Sequence, residues 1–168
     1  METIAAVNAL DRDAFVARFG AVFEHSPWVA ERVWSERPFT GLDDLHARMV
    51  AVMERASRDE QLALIRAHPE LLGRLAQARL SAESLREQGG AGLTEASERE
   101  TAELTRLNAA YRERFGFPFI LAVRGVKIPQ IVASLTQRLP NTPEQEFATC
   151  LAQIGRIARF RLGDMVAG

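Results

Sequence analysis

Cysteine is nearly absent: Cys150 is the single one in 168 residues. A disulfide framework is therefore excluded, and a reducing compartment is compatible. No pair of His, Cys or Asp residues has metal-ligand spacing, which argues against a zinc site. Lysine is almost missing as well, with Lys127 alone, a bias that points to no function. Charge of one sign is lacking: 21 basic and 22 acidic side chains leave a net charge of −1. Nothing suggests a nucleic-acid surface, and a helical DNA-binding regulator is disfavoured. No apolar run is long enough to cross a bilayer. The N-terminus has no basic region followed by an apolar run, so no secretory signal is expected. The C-terminal Met165-Val166-Ala167-Gly168 is no peroxisomal address. There is also no G-x-S-x-G, P-loop or dinucleotide fingerprint. A cytoplasmic protein with one domain over residues 1–168, touching neither membrane nor nucleic acid, is expected.

What is present is helical periodicity. Phe15, Phe19, Val22 and Phe23 form an apolar stripe in a helix that Asp11 would cap. Ser26-Pro27 reads as cap plus first turn of a short helix with Trp28, Val33 and Trp34. Leu42, Leu45, Met49, Val52 and Met53 mark another. Ser57 with Glu60, and Ser97 with Glu100, have capping-box spacing, and Gly116 is a stop signal for the second of these helices. Pro129 and Thr142-Pro143 open the last two helices. Phe117–Val123 alone looks non-helical. With no second strand to pair with, it reads as a buried extended connection whose N–H and C=O groups need partners, a ligand among the possible ones. The fold expected is an all-α compact multi-helix bundle with this one extended connection.

Three features carry chemistry. The first is Ala67-His68-Pro69-Glu70. Proline disfavours α conformation at His68 and suits the first turn of a helix starting at Pro69. The imidazole thus sits at a joint, as a capping or surface residue or as a preorganised acid/base group. The second is Ser81, Ser84, Glu87 and Gln88 on one short segment. If it is helical, Ser84 and Glu87 share a face able to bind a polar heterocycle, the alternative being a solvated first turn. The third is Arg161, which falls on the stripe Phe147, Leu151, Ile154, Ala158, Met165 of the last helix. An arginine there finds an anion or snorkels to water, and its planar fork suits a carboxylate or a ureido-type carbonyl. His25 and His46 are weaker candidates. Gly89-Gly90-Ala91-Gly92 is a hinge or a helix terminator.

Taken in order, these pieces resemble the 2-oxo-4-hydroxy-4-carboxy-5-ureidoimidazoline (OHCU) decarboxylase family. The resemblance runs through Phe19–Phe23 with Ser26-Pro27-Trp28, Ala67-His68-Pro69-Glu70-Leu71, and Ser81-x-x-Ser84-x-x-Glu87-Gln88 with Ala91-Gly92-Leu93. It continues through Leu107-Asn108, Tyr111, Phe115–Ile120 and Val123-Arg124-Gly125. It ends with Arg138-Leu139, Asn141, Glu146 and Arg161-Leu162. Glu70 departs from the aspartate frequent in the family. The resemblance implies an all-helical, cofactor-free homodimer that converts OHCU to (S)-allantoin, after urate oxidation and hydroxyisourate hydrolysis. It implies His68 and Glu87 as catalytic residues. Ser84, Gln88, Arg161 and the Phe119-Ile120-Leu121 backbone would bind substrate, with Pro69 fixing the pose of His68. A non-catalytic helical module for ligand sensing or protein interaction is the alternative.

Overall fold

Local side-chain caps decide where several helices begin. In the computed structural model, which describes residues 1–73, 75 and 95–168, Thr3 Oγ1 accepts the Ala6 N–H ahead of α1 (Ile4–Ala9). Asp11 caps α2 (Arg12–Phe19) as expected, its Oδ1 accepting the Ala14 N–H at 2.8 Å, a bond worth about 1 kcal/mol. The helix stops at Phe19, earlier than the apolar stripe predicts. Val22 and Phe23 are buried from the turn that follows it. Ser26 is no cap for α3 (Trp28–Val33): Pro27 holds the cap position, and the Ser26 hydroxyl turns back to donate to the Glu24 carbonyl. Trp34 lies in a short 3-10 turn, Trp34–Glu36.

Next come α4 (Leu42–Glu54) and α5 (Arg58–Ala67). The Ser57/Glu60 capping box forms in full: Ser57 Oγ accepts the Glu60 N–H at 3.1 Å and Glu60 Oε1 accepts the Ser57 N–H at 3.3 Å. The remaining long helices are α6 (Glu95–Phe115), α7 (Ile128–Arg138) and α8 (Pro143–Met165). Helix α6 is already present at Glu95, so Ser97 and Glu100 lie within it and not at its start. Thr142 Oγ1, by contrast, does accept the Gln145 N–H at the start of α8. Gly116 ends α6 with φ +71°, a conformation glycine adopts without strain. The described residues are thus all-α, as expected; their one β-type feature is an isolated bridge between Glu2 and Val166.

The chain divides into two compact units, Met1–Ala67 with Leu151–Gly168, and His68–Cys150. In the first unit, Phe15, Phe19, Phe23, Leu45, Met49, Leu64 and Ile65 are buried together with Ile154, Ala158 and Leu162. Gly155 lets α4 approach α8 closely: a Cβ there would meet Val50 Cγ2 at 3.4 Å. His46 Nε2 bonds the Gly155 carbonyl at 2.8 Å, so the edge-of-stripe histidine has a structural task. In the second unit Tyr111 is the hub of an aromatic cluster. Its ring lies 4.5 Å from Phe115, 5.1 Å from Phe119 and 6.2 Å from Phe117. The predicted connection Phe117–Val123 carries neither helix nor strand; Phe117–Ile120 and Ala122 are buried, and Leu121 and Val123 are partly so.

Candidate functional site

His68 is the first residue beyond α5, and helical structure resumes at Leu71. The break is where the His-Pro pair puts it, but Pro69 and Glu70 both lie outside the next helix, which starts later than the proline alone suggests. Far from being a surface cap, His68 is 4% exposed. Both its ring nitrogens are shielded from bulk water. Glu70 ties the joint to α6: its carboxylate pairs with Arg112 and accepts from Asn108 Nδ2 at 3.5 Å. Asn108 and Arg112 are one turn apart, so one helix face grips the residue two places beyond His68. The pair with Arg112 is half exposed and contributes little stability; its effect is to orient. Ser84, Glu87 and Gln88 lie outside the described residues, as does Gly89-Gly90-Ala91-Gly92.

Phe119, Ile120 and Leu121 belong to the same unit as His68. The backbone of Ile120 is held by a buried polar group that sequence reasoning did not single out. Arg138 Nη1 donates to the Ile120 carbonyl at 2.7 Å, and Arg138 Nε donates to Glu146 Oε1 at 2.8 Å. The guanidinium stacks 4.3 Å from the Phe119 ring centre. Tyr111 donates its hydroxyl to the same Glu146 oxygen at 2.6 Å, and Asn141 Nδ2 donates to Oε2 at 2.9 Å. Glu146 is fully buried, and Arg138 is 8% exposed. The signal for Arg138 was present. It sits on the buried stripe Ile131, Leu135, Arg138 of α7, the same pattern that singled out Arg161. Burial raises the Tyr111 hydroxyl far above the ordinary phenol range, and the neighbouring Cys150 thiol and Glu146 add to the effect. Burial likewise pushes the Cys150 thiol up, against the hydrogen bond it shares with Tyr111 and the Arg138 charge. Cys150 is thus an inert core residue rather than a nucleophile.

Arg161 belongs to the first unit. The buried face of α8 is Phe147, Cys150, Ile154, Ile157, Ala158 and Leu162, which corrects the predicted stripe. Leu151 and Met165 are only partly buried, and Arg161 lies at the margin of the face. Its side chain is 31% exposed. It does not simply snorkel: Nη1 donates to the Val22 carbonyl at 2.9 Å and Nη2 to Glu24 Oε1 at 2.5 Å. A longer contact reaches the Ala21 carbonyl at 3.4 Å. The arginine therefore has an anion, Glu24, that its own chain supplies, and no sequence signal named that residue. Among the described residues no group of three or more His, Cys, Asp and Glu side chains is placed to hold a metal ion. No helix among them is long and apolar enough to cross a membrane.

A family model described as OHCU decarboxylase matches residues 8–163. The chain belongs to the OHCU decarboxylase family. It is 43% identical over 162 residues to the OHCU decarboxylase of Haloferax volcanii, covering 96% of this chain and 95% of that one. Against the Mus musculus OHCU decarboxylase the identity is 44% over 161 residues, covering 95% and 90%. The bifunctional uric acid degradation protein PucL of Bacillus subtilis is 43% identical over 99% of this chain, which spans 33% of that longer protein. Among solved structures, an (S)-allantoin synthase superposes with a TM-score of 0.79 at 32% identity, covering 98% of this chain and 54% of the other. The family's expected residues therefore fall on both units: His68 and Phe119–Leu121 on the second, Arg161 on the first.

Proposed function

We propose that this OHCU decarboxylase-family protein removes carbon dioxide from 2-oxo-4-hydroxy-4-carboxy-5-ureidoimidazoline to give (S)-allantoin, and that it does so with its own side chains. The observation that carries this is the family match over nearly the whole chain, with relatives of similar length named for that reaction. In the substrate the carbon that bears the carboxylate also bears a hydroxyl and adjoins a ring imine. Breaking the carbon–carboxylate bond sends its electron pair toward the imine nitrogen, so the substrate is its own electron sink. The imine nitrogen and the ureido-bearing carbon must then each gain a proton, and the hydroxyl must lose its proton to become the ring carbonyl. His68 is assigned to that proton traffic. Its burial at a joint between helices supports the role, because a held imidazole keeps its geometry between turnovers.

Glu87, with Ser84 and Gln88, is assigned to the ring and ureido N–H groups. Arg161 is assigned to the substrate's negative charge, and the Phe119–Leu121 backbone to its polar edge. Pro69 keeps His68 out of helical conformation. A homodimer in the cytoplasm completes the proposal. The test generates OHCU in place from urate with the two preceding enzymes, adds this protein, and follows circular dichroism of the allantoin formed. A fast rise of one enantiomer is expected. Racemic allantoin at the spontaneous rate would refute the assignment.

A further inference from the structure

The buried Arg138–Glu146 pair has no place in the chemistry just assigned, yet its cost is high. Two desolvated charges gain little over apolar packing of equal volume. Their geometry shows where the arginine is directed. Of the Arg138 donors, Nε goes to Glu146 and Nη1 to the Ile120 carbonyl, and Nη2 faces the Cys150 sulfur at 3.6 Å. The Ile120 carbonyl is thereby committed to Arg138 of α7, which α8 in turn holds through Glu146 and Cys150. The guanidinium also covers the Phe119 ring, whose other neighbour is the edge of Tyr111. Glu146 is fixed from three sides by Arg138, Tyr111 and Asn141. A connection without helix or strand needs such partners if its peptide groups are to stay in place.

We infer that Arg138 is a positioning residue for substrate binding: gripped by Glu146, it clamps Ile120 and so holds the Phe119–Leu121 backbone in the pose that meets the substrate. Ile120 is the anchor of that segment. The inference rests on the assignment of Phe119–Leu121 to the substrate site. A loose segment weakens ground-state and transition-state binding alike, so loss of the clamp raises KM and leaves kcat nearly unchanged.

The experiment compares Arg138→Lys, Tyr111→Phe and Cys150→Ala with the wild type. Each is assayed for KM and kcat on OHCU generated in place, for allantoin affinity by calorimetry, and for thermal unfolding. Lysine keeps the charge for Glu146 and loses the fork that reaches Ile120 as well. Arg138→Lys is expected to raise KM and the allantoin Kd by about ten-fold, the equivalent of one well-aligned charged hydrogen bond. Its kcat should stay within about three-fold of wild type. Tyr111→Phe removes a bond to Glu146 but leaves Arg138 on Ile120. It should lower the melting temperature with KM unchanged, which separates positioning from stability. Cys150→Ala removes the sulfur that the Arg138 Nη2 faces, loosening the clamp on Ile120, and should raise KM by a smaller factor. A folded Arg138→Lys with wild-type KM and Kd overturns the inference. So does equal elevation of KM in Tyr111→Phe and Arg138→Lys. If Arg138→Lys does not fold, Cys150→Ala at wild-type KM overturns it. Failure of the functional assignment is distinct: the wild type itself would then give racemic allantoin.

Discussion

Replacing Arg161 by lysine separates the tether the structure shows from the substrate contact proposed for the same side chain. Arg161 spans Val22 and Glu24 with two nitrogens, at 2.9 and 2.5 Å. A lysine ammonium, a point charge on a shorter reach of donors, keeps one of these contacts at a time. A hydrogen bond to a charged group is worth about 1.5–3 kcal/mol when sheltered. At 31% side-chain exposure the ion pair with Glu24 is screened, so a value below that range, about 1 kcal/mol, is the expected loss of stability. For a chain of this length that is a melting-temperature drop of about 2–4 °C. If the fork also reads a planar ureide or carboxylate, allantoin affinity should fall by a further factor of about ten. The assay is calorimetric titration of (S)-allantoin into wild type, Arg161→Lys and Glu24→Gln, with thermal unfolding of each. Glu24→Gln leaves the guanidinium in place, so it should cost stability with a much smaller loss of affinity. Wild-type affinity in Arg161→Lys, with only the melting temperature lowered, would show that Arg161 merely tethers the turn after α2, and would remove it from the binding site.

His68→Asn should fold with a near-native melting curve and lose about 10²–10⁴ of the enantioselective rate, and an unchanged rate by circular dichroism would rule out an acid/base role. Tyr111 is the only tyrosine, so absorbance at 295 nm reports it alone. Its raised folded pKa means that stability is intact below the unfolded phenol value of about 10 and declines as pH rises beyond it. The tyrosinate signal should therefore appear only together with alkaline unfolding, and a signal preceding unfolding would contradict the burial of its hydroxyl. Asp44 is held below the usual carboxylate range chiefly by the Arg48 hydrogen bond, with the Thr40 N–H adding to it. Its stabilising share is present above the unfolded aspartate value and is lost as pH falls through the lower folded value. Arg48→Gln should flatten that part of the acid limb in pH-dependent urea melts, and an unaltered profile would refute the coupling.

Local chemistry alone determined much of this protein. Asp11, Ser57, Thr142 and Gly116 mark helix ends because a cap or a left-handed glycine acts within one turn of chain. The His68 break follows from a proline ring meeting its own neighbour. The Phe117–Val123 connection was legible because its apolar run fits no helical period. The same locality explains the misses. Apolar spacing at Val22 and Phe23 continues the α2 stripe although the helix has ended, since a turn can bury side chains at helical intervals. Ser97 and Glu100 have box spacing just inside the start of α6, and spacing cannot say on which residue the first turn begins. What only the tertiary structure decided are the partners. Arg138 and Arg161 both read as arginines beside apolar stripes. One is buried against Glu146 and Ile120, and the other lies at a helix margin on Glu24 and Val22. Arg161 and Val22 are 139 positions apart in the chain. Contacts of that reach leave no periodic trace, because they are chosen by how helices pack and by where a buried charge finds its counterpart.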